Sequence, residues 1–318
     1  MKALSQFIAV VLIITSVTLN VALSHTAPSL TVPKPRSEFD ISHDYHLTLL
    51  KMALKEAANG RVIPKFNVYQ NLMSQKRASA ELLDGESIDV YWLGADASLD
   101  ASLRAIQVPT TRGLIGYRQF IVNKASTKQF DKIQSIEDLQ SLVACQGSHW
   151  PDTIIMREAN LKVVTSPLYE NLFKMLNAKR CDYFPRGLHD IKNELSSVSE
   201  QFPNLINYEP ILMHYPFAVF FYTSKSNEAL AQWIEQGMLS LAKQGKIESL
   251  MQRHPLTSHV YPLSEQKSTT YLSLDNLELS SKVDHYDPAL WIQPKDFDIK
   301  VAISSKLSLG SSYELGSE

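Results

Sequence analysis

The alternation of apolar and polar positions divides the chain into short segments of opposite period. After a Pro-rich, extended stretch at 25–37, Leu47, Leu50, Met52 and Leu54 recur at helical spacing. They predict an amphipathic helix that Ser42 or Asp44 can cap and that stops at Asn59-Gly60. "RVIPKFNVY" reads as a strand, "NLMSQKRASAELLDG" as a helix stopped by Gly85, and "IDVYWLG" (88–94) as a short buried strand. The pattern then restarts after a strand at 117–124. Ser135 and Asp138 form a capping-box pattern ahead of a strand at 142–146. "PDTIIMREAN" is a helix with Pro151 in its first turn, where a missing N–H costs nothing. "LKVVTS", "YENLFKMLNAKR" and "CDYFPRG" follow as strand, helix and strand, and 217–224 is a further apolar strand before a long amphipathic helix interrupted near Gly245.

Strands alternating with helices predict parallel sheets with crossover helices. Two α/β units stand one after the other, and the late strand and helices have no unit of their own, so the simplest packing returns them to the first. Beyond about residue 265 the chain is Ser- and Leu-rich with little periodicity, which predicts an extended strap and a frayed end.

The first residues change the picture more than composition does. Lys2 supplies a positive n-region, Phe7 to Val17 an apolar core, and Ala22-Leu23-Ser24 small residues for cleavage, the layout of a secretory signal peptide over 1–24. The run is short for a membrane span, and no later segment is apolar enough for one. The mature protein is expected to be soluble and exported. The 318 residues suit about two domains, and with 44% hydrophobic and 20% charged residues the composition is that of a globular protein. A net charge of −2 gives no basic field to gather nucleic acid. Export makes a disulfide between Cys145 and Cys181 chemically possible. Bridges between neighbouring strands of a parallel sheet are awkward, however, so the placement favours two buried thiols.

Candidate chemistry sits at the carboxyl ends of the strands, where open α/β sheets gather ligands. One end is Tyr91, Trp92 and Gly94; a second is Gly147-Ser148-His149-Trp150, with Asp152 and Thr153 opening a helix; a third is Pro185-Arg186-Gly187. Free N–H groups at the Ser148–Trp150 turn would attract an anion; the alternative is that Ser148 is a plain cap. Arg186 can bind a carboxylate bidentately, or form a structural ion pair. Trp92 and Trp150 can stack on a ligand or pack in the core. Arg104, Arg112 and Arg118 lie near the passage between the units, where at least one is expected in a hinge salt bridge. Walker A, GxSxG and HExxH patterns do not occur. His43 and His46 read as solvated surface, His149 with Asp152 as a generic acid/base pair, and His214 and Tyr215 as hinge residues. No cofactor and no metal is expected.

The signal peptide, "DYHLTLLKMAL", "IDVYWLG", "IQVPTTRGLIGYRQFIV", "SIEDLQSLVACQGSHWPDT", "KRCDYFPRG" and "YPFAVFFYTSKSNEALAQWIEQGMLSLAKQGKIESL" together resemble family 3 of the periplasmic solute-binding proteins. That family has the type II two-lobed fold and serves polar amino-acid ABC importers. The likeness covers about residues 38–294. It is greatest to a proteobacterial branch that shares the "GL-x-GYR" and "W-x-DT" phrases and a late "LW-x-x-P", here Leu290 to Pro294. The resemblance implies lobe 1 at 28–113 plus 216–265, lobe 2 at 117–212, and a C-terminal strap and tail at 266–318. Each lobe is expected to be a mostly parallel sheet flanked by helices. A two-segment hinge at 112–116 and 210–216, with Arg112, Gly113, Gly116 and Tyr215, would join them.

Ligand contacts carried over are Tyr91, Trp92, Gly94 and Arg104 in lobe 1, and Ser148, His149, Trp150, Asp152 and Arg186 in lobe 2. Two positions depart from the family. Ser102 stands where an arginine usually holds the α-carboxylate, with Arg104 two residues on. Gly187 stands where an aspartate usually holds the α-ammonium. Those departures point to a small anionic or carboxylate-bearing ligand. The implied protein is a periplasmic, monomeric, non-enzymatic binding protein whose client is an ABC permease or a membrane sensor. A cyclohexadienyl dehydratase-like lyase on the same fold is the alternative.

Overall fold

The computed structural model describes residues 28–298 apart from 36–39, 74, 278 and 280–282. The signal peptide and the end of the tail lie outside the described residues.

Lobe 1 opens with β1 (Ser29–Val32), α1 (Ile41–Glu56), β2 (Lys65–Val68), α2 (Gln75–Asp84), β3 (Tyr91–Gly94), α3 (Ala97–Ser102) and β4 (Arg104–Ile106). β1 lies inside the stretch expected to be merely extended. It pairs in parallel with β2, and on its other side Asp89 N–H donates to Thr31 O at 2.8 Å. Helix α1 is capped by Asp40, which accepts from His43 N–H at 3.1 Å, rather than by Ser42 or Asp44. Its buried stripe of Tyr45, Leu49, Leu50, Ala53 and Leu54 packs against the late helix α9 (Glu228–Lys243). The approach is so close that a side chain at Gly237 would overlap the Ala53 carbonyl. The same stripe buries His43 and His46, which are 8% and 3% exposed, so the expectation of solvated histidines is wrong. Both lie on the α1 face that meets Trp92, and their ring nitrogens are satisfied by Pro33 O and Thr110 Oγ1, at 2.9 and 3.1 Å.

Lobe 2 runs through β5 (Tyr117–Asn123), α4 (Thr127–Phe130), α5 (Ile136–Leu139), β6 (Val143–Gly147), α6 (Pro151–Glu158), β7 (Lys162–Ser166), α7 (Tyr169–Asn177), β8 (Tyr183–Gly187), α8 (Ile191–Val198) and β9 (Leu205–His214). The chain then returns to lobe 1 as β10 (Val219–Thr223), which inserts antiparallel between β3 and β4, followed by α9 and α10 (Lys246–Met251). The Ser135–Asp138 capping box forms as predicted.

The fold is α/β with two lobes, but the large sheet is mixed rather than mostly parallel. Its order is β11-β9-β5-β8-β6-β7, with β5 antiparallel to both β8 and β9. Strand β11 (Thr270–Ser273) belongs to the strap and extends the sheet in parallel with β9. The strap then crosses back. Asn276 donates to Pro216 O at 2.9 Å, and Trp291 lies over Gly113, where any Cβ would overlap the indole. Ile292 N–H donates to Arg112 O at 2.8 Å, and Tyr117 Oη donates to Ile292 O at 2.9 Å. The strap thus clamps the first hinge segment and does not hang free of it.

Cys145 and Cys181 form a disulfide with their Cα atoms 5.6 Å apart, against the expectation of two thiols. The reason is local. Cys181 is not on a strand; it precedes β8 in a loop, so the parallel ladder that would misdirect the two Cβ atoms does not constrain it. Among the described residues no helix is long and apolar enough to cross a membrane.

Candidate ligand cleft

The proposed site residues lie at the ends of β3, β6 and β8 and in the two segments that connect the lobes. On the lobe 2 side β6 ends in Gly147, and the chain turns so tightly that a side chain there would overlap the Trp150 indole. Trp150 stacks parallel to Phe184, with centroids 6.2 Å apart. The Arg186 guanidinium lies 4.8 Å from the Trp150 ring centre and 5.0 Å from that of Phe184. Such placement stabilises a cation while covering apolar surface.

That cation is already paired. Arg186 Nε donates to Glu194 at 2.8 Å and Nη2 at 2.6 Å, and Asp190 Oδ2 is 3.9 Å away. Burial opposes the charge on Arg186, but the Glu194 carboxylate more than offsets it and holds the guanidinium pKa above its ordinary value. A Cβ at Gly187 would stand 2.6 Å from Asp190 Oδ2, so a side chain there would turn that carboxylate aside. The acid missing from position 187 is therefore present in space, supplied from the first turns of α8.

Asp152, in the first turn of α6, is 5% exposed and takes the second buried cation. Its Oδ1 lies 2.7 Å from Arg118 Nη2 and accepts a short hydrogen bond from Tyr215 Oη. Arg118 is 2% exposed and is flanked by the rings of Tyr215 at 5.3 Å and Phe217 at 5.8 Å. Burial raises the Tyr215 phenol well above its ordinary pKa and outweighs the lowering by Arg118, so the hydroxyl is a donor to Asp152.

The expected N–H cradle is mostly used up inside the turn. Ser148 N–H donates to Ser166 O at 3.0 Å and Trp150 N–H to Gly147 O at 3.2 Å. The His149 side chain is exposed.

On the lobe 1 side Trp92 lies flat on His46, with centroids 5.2 Å apart and planes 2° from parallel. Burial lowers the His46 pKa to about 3, so the imidazole is neutral. Tyr91 tilts against Trp92, and at Gly94 a Cβ would stand 2.8 Å from the Phe217 ring. Arg104 turns away to α9, 2.8 Å from Glu235 and 3.1 Å from Glu228. The hinge segments touch where Gly116 meets the Tyr215 carbonyl, so close that no side chain fits. Arg112 pairs with Glu248 at 2.7 Å and donates to Pro288 O at 2.7 Å.

Gly94, Gly116, Asp152 and Tyr215 are thus connected through Phe217 and Arg118, Trp150 is paired with Arg186, and Arg104 joins neither group. Arg118 pairs with Asp152, Arg112 with Glu248 and Arg104 with Glu235, so each of the three arginines is in an ion pair. Glu194, Asp190 and Phe217 were not anticipated. The signal for the acids was their spacing of four and eight residues after Arg186, which returns a helix opened by the strand-end turn to that guanidinium.

No protein-family model and no curated protein sequence matches the chain. Its fold is similar to solved amino-acid ABC transporter substrate-binding proteins. An ABC transporter binding component from Wolinella succinogenes complexed with lysine shares 13% identity at a TM-score of 0.48, covering 64% of this chain and 84% of that one. A periplasmic binding protein of Salmonella typhimurium, described for its high arginine specificity, shares 13% identity at a TM-score of 0.49, covering 72% and 99%. A histidine kinase sensor domain similar to periplasmic binding proteins shares 14% identity at a TM-score of 0.49, covering 72% and 96%.

Proposed function

We propose that the chain is an exported, monomeric solute-binding protein that holds a small polar ligand between its lobes for an ABC importer or a membrane sensor. The observation that carries this reading is the joint between cleft and hinge. Asp152 opens the helix that follows the "QGSHW" turn, and it is bonded to Arg118, two residues past the first proposed hinge segment, and to Tyr215 on the second. A ligand that moves this turn acts directly on both crossings, which is what lobe closure requires. Arg112, Gly113, Gly116 and Tyr215 are the proposed hinge, and Tyr91, Trp92, Gly94, Ser148, His149 and Trp150 the proposed rim.

The charge pattern narrows the ligand. A carboxylate would have to displace Glu194 from Arg186 and Asp152 from Arg118, each already held by a charge-assisted bond. The pairing therefore favours a small polar ligand without net negative charge over the anion expected from sequence. Catalysis finds no support in the same geometry, since Asp152 is committed to Arg118 and Tyr215 rather than poised beside His149.

The test is a thermal-shift screen of the mature protein with neutral, zwitterionic, cationic and anionic solutes. A true ligand at about 100 times its Kd adds about 2.7 kcal/mol. A shift with dicarboxylates alone would overturn the charge reading, and no shift with any solute would overturn the binding reading.

A further inference from the structure

The arginines of the proposed cleft and hinge are all paired, whereas one face of lobe 1 gathers cations that are not. From residue 45 to residue 80 the chain carries Lys51, Lys55, Arg61, Lys65, Lys76 and Arg77 against a single acid, Glu56, in a protein of net charge −2. Glu56 is taken by Lys246 at 2.8 Å, which adds a further lysine beside the end of α1. Arg77 pairs with Glu81 at 3.3 Å. Among the described residues no carboxylate pairs with Lys51, Lys55, Arg61 or Lys65.

Local structure turns this charge outward. Helix α1 ends at an Asn59-Gly60 turn, and the chain leaves it as Arg61-Val62-Ile63, all exposed, before Pro64 is buried. Val62 is 64% exposed although it is apolar, and Ile63 is 37% exposed. Lys51 on α1 lies 5.3 Å from the ring centre of Phe66 on β2, and Arg61 lies 5.1 Å from that of Trp233 on α9. These contacts join α1, the turn, β2 and α9 in one surface. An open groove of about 340 Å³ runs into it, lined by Leu30, Pro64, Leu230 and Trp233 together with Arg61. Asp89 also lines the groove, but its carboxylate accepts from Thr31 N–H at 2.6 Å.

Exposed apolar side chains among unpaired cations fit a partner that is apolar and negative at once. The position of the face selects which. Pro28, the first described residue, lines the same groove. The apolar run Phe7–Val17 is joined to it by residues 18–27, which reach at most about 33–36 Å. A membrane that takes up that run has this face on a short tether. We propose that this face of lobe 1 docks on an anionic phospholipid bilayer. Lys51, Lys55, Arg61 and Lys65 meet lipid phosphates, and Val62 and Ile63 enter between the headgroups. The docking makes no use of the cleft, so the two readings fail separately.

The mature chain is floated with vesicles of phosphatidylcholine, alone or with about 30% phosphatidylglycerol. It should bind only the anionic vesicles, and raising NaCl from about 0.05 to about 0.5 M should weaken binding more than tenfold. Each basic residue at a lipid surface is worth about fivefold, so Arg61→Glu/Lys65→Glu should weaken binding at least about twentyfold. Lys51→Glu/Lys55→Glu, a second exposed pair, should act alike, and Val62→Asn should weaken binding about threefold or more. Lys128→Glu/Lys132→Glu, exposed on lobe 2, should bind as the unaltered chain does, and thermal melting checks that every variant is folded. No flotation with anionic vesicles overturns the proposal, and equal flotation with phosphatidylcholine alone overturns its charge argument. Unchanged binding by both lobe 1 pairs, or equal weakening by the lobe 2 pair, overturns the face. Polyglutamate binding as tightly as the anionic vesicles would overturn the bilayer in favour of an acidic protein.

Discussion

Replacing Asp152 with Asn tests the joint between cleft and hinge with almost no change in shape. The amide keeps the volume of the carboxylate and can still accept from Tyr215. It removes the charge opposite Arg118, which is 2% exposed and has its Nε buried without a partner. A guanidinium left uncompensated in such a place costs about 3–5 kcal/mol. A protein of this size is stable by only about 5–15 kcal/mol, so the loss is a large fraction of the total. Urea unfolding of the mature protein should show a midpoint shift at unchanged slope. Arg118→Met in the Asp152→Asn background removes the stranded charge and should recover about 1–4 kcal/mol, because an apolar replacement of a buried pair is often neutral or better. The signature is strong non-additivity between contacting residues. If Asp152→Asn costs less than about 0.5 kcal/mol, or the two substitutions add, the pair is not a buried electrostatic joint and the coupling argument falls.

The Cys145–Cys181 disulfide spans 36 residues, so reduction or Cys181→Ala should cost about 3–4 kcal/mol, read as a lower urea midpoint with dithiothreitol; two alkylatable thiols in the unreduced, denatured protein would contradict it. Gly113→Ala places a Cβ at φ +71° under the Trp291 indole and should lose more than about 1 kcal/mol, whereas Gly245→Ala, at φ +67° with open space around it, should lose about 1 kcal/mol for the backbone alone; equal losses by thermal melting would mean that the strap does not press on the hinge. His46 and His214 are both lowered to about 3 by burial, so between pH 6.5 and 3 the unfolded chain binds protons that the folded one does not. Each then removes up to about 1.4 kcal/mol per pH unit as the pH falls through that window, and His214→Phe should flatten the slope by about one proton; an unchanged slope would place His214 in solvent.

What was legible in the sequence followed how far local pattern decides structure. α1, α6, α9 and the buried strand at Tyr91–Gly94 carry their period and stop signals in their own residues. Strand β9 does not. "LINYEPILMH" is interrupted by Pro210, which argues against a central strand, and it pairs with β5 only through a register shift between Arg118 and Phe120. The proline sits inside that irregular stretch, where the ladder does not need its N–H. Strand β11 was hidden because four residues in a Ser-rich tail have no period until β9 offers them an edge. The buried histidines were misread for a related reason. His43 and His46 look like surface on a helix start, and only the fold of β3 beneath them reveals an aromatic wall.

At the proposed cleft the sequence singled out Arg186 but not the acids that pair with it. Reading Gly187 as a lost acid treats charge as a property of a position, whereas the site holds it as a property of a volume. The first turns of α8 carry Asp190 and Glu194 to the guanidinium that position 186 presents. Asp152 likewise neutralises Arg118 from the next helix over. Each buried cation at the joint has its counter-ion built in, so neither depends on a ligand for its charge balance. An anionic ligand gains from such arginines only by evicting a carboxylate that is covalently tethered at high effective concentration. On the proposed reading, a ligand would be selected by shape and neutral hydrogen bonds rather than by these arginines, since Trp92 is engaged with His46 and Trp150 with Phe184 and Arg186.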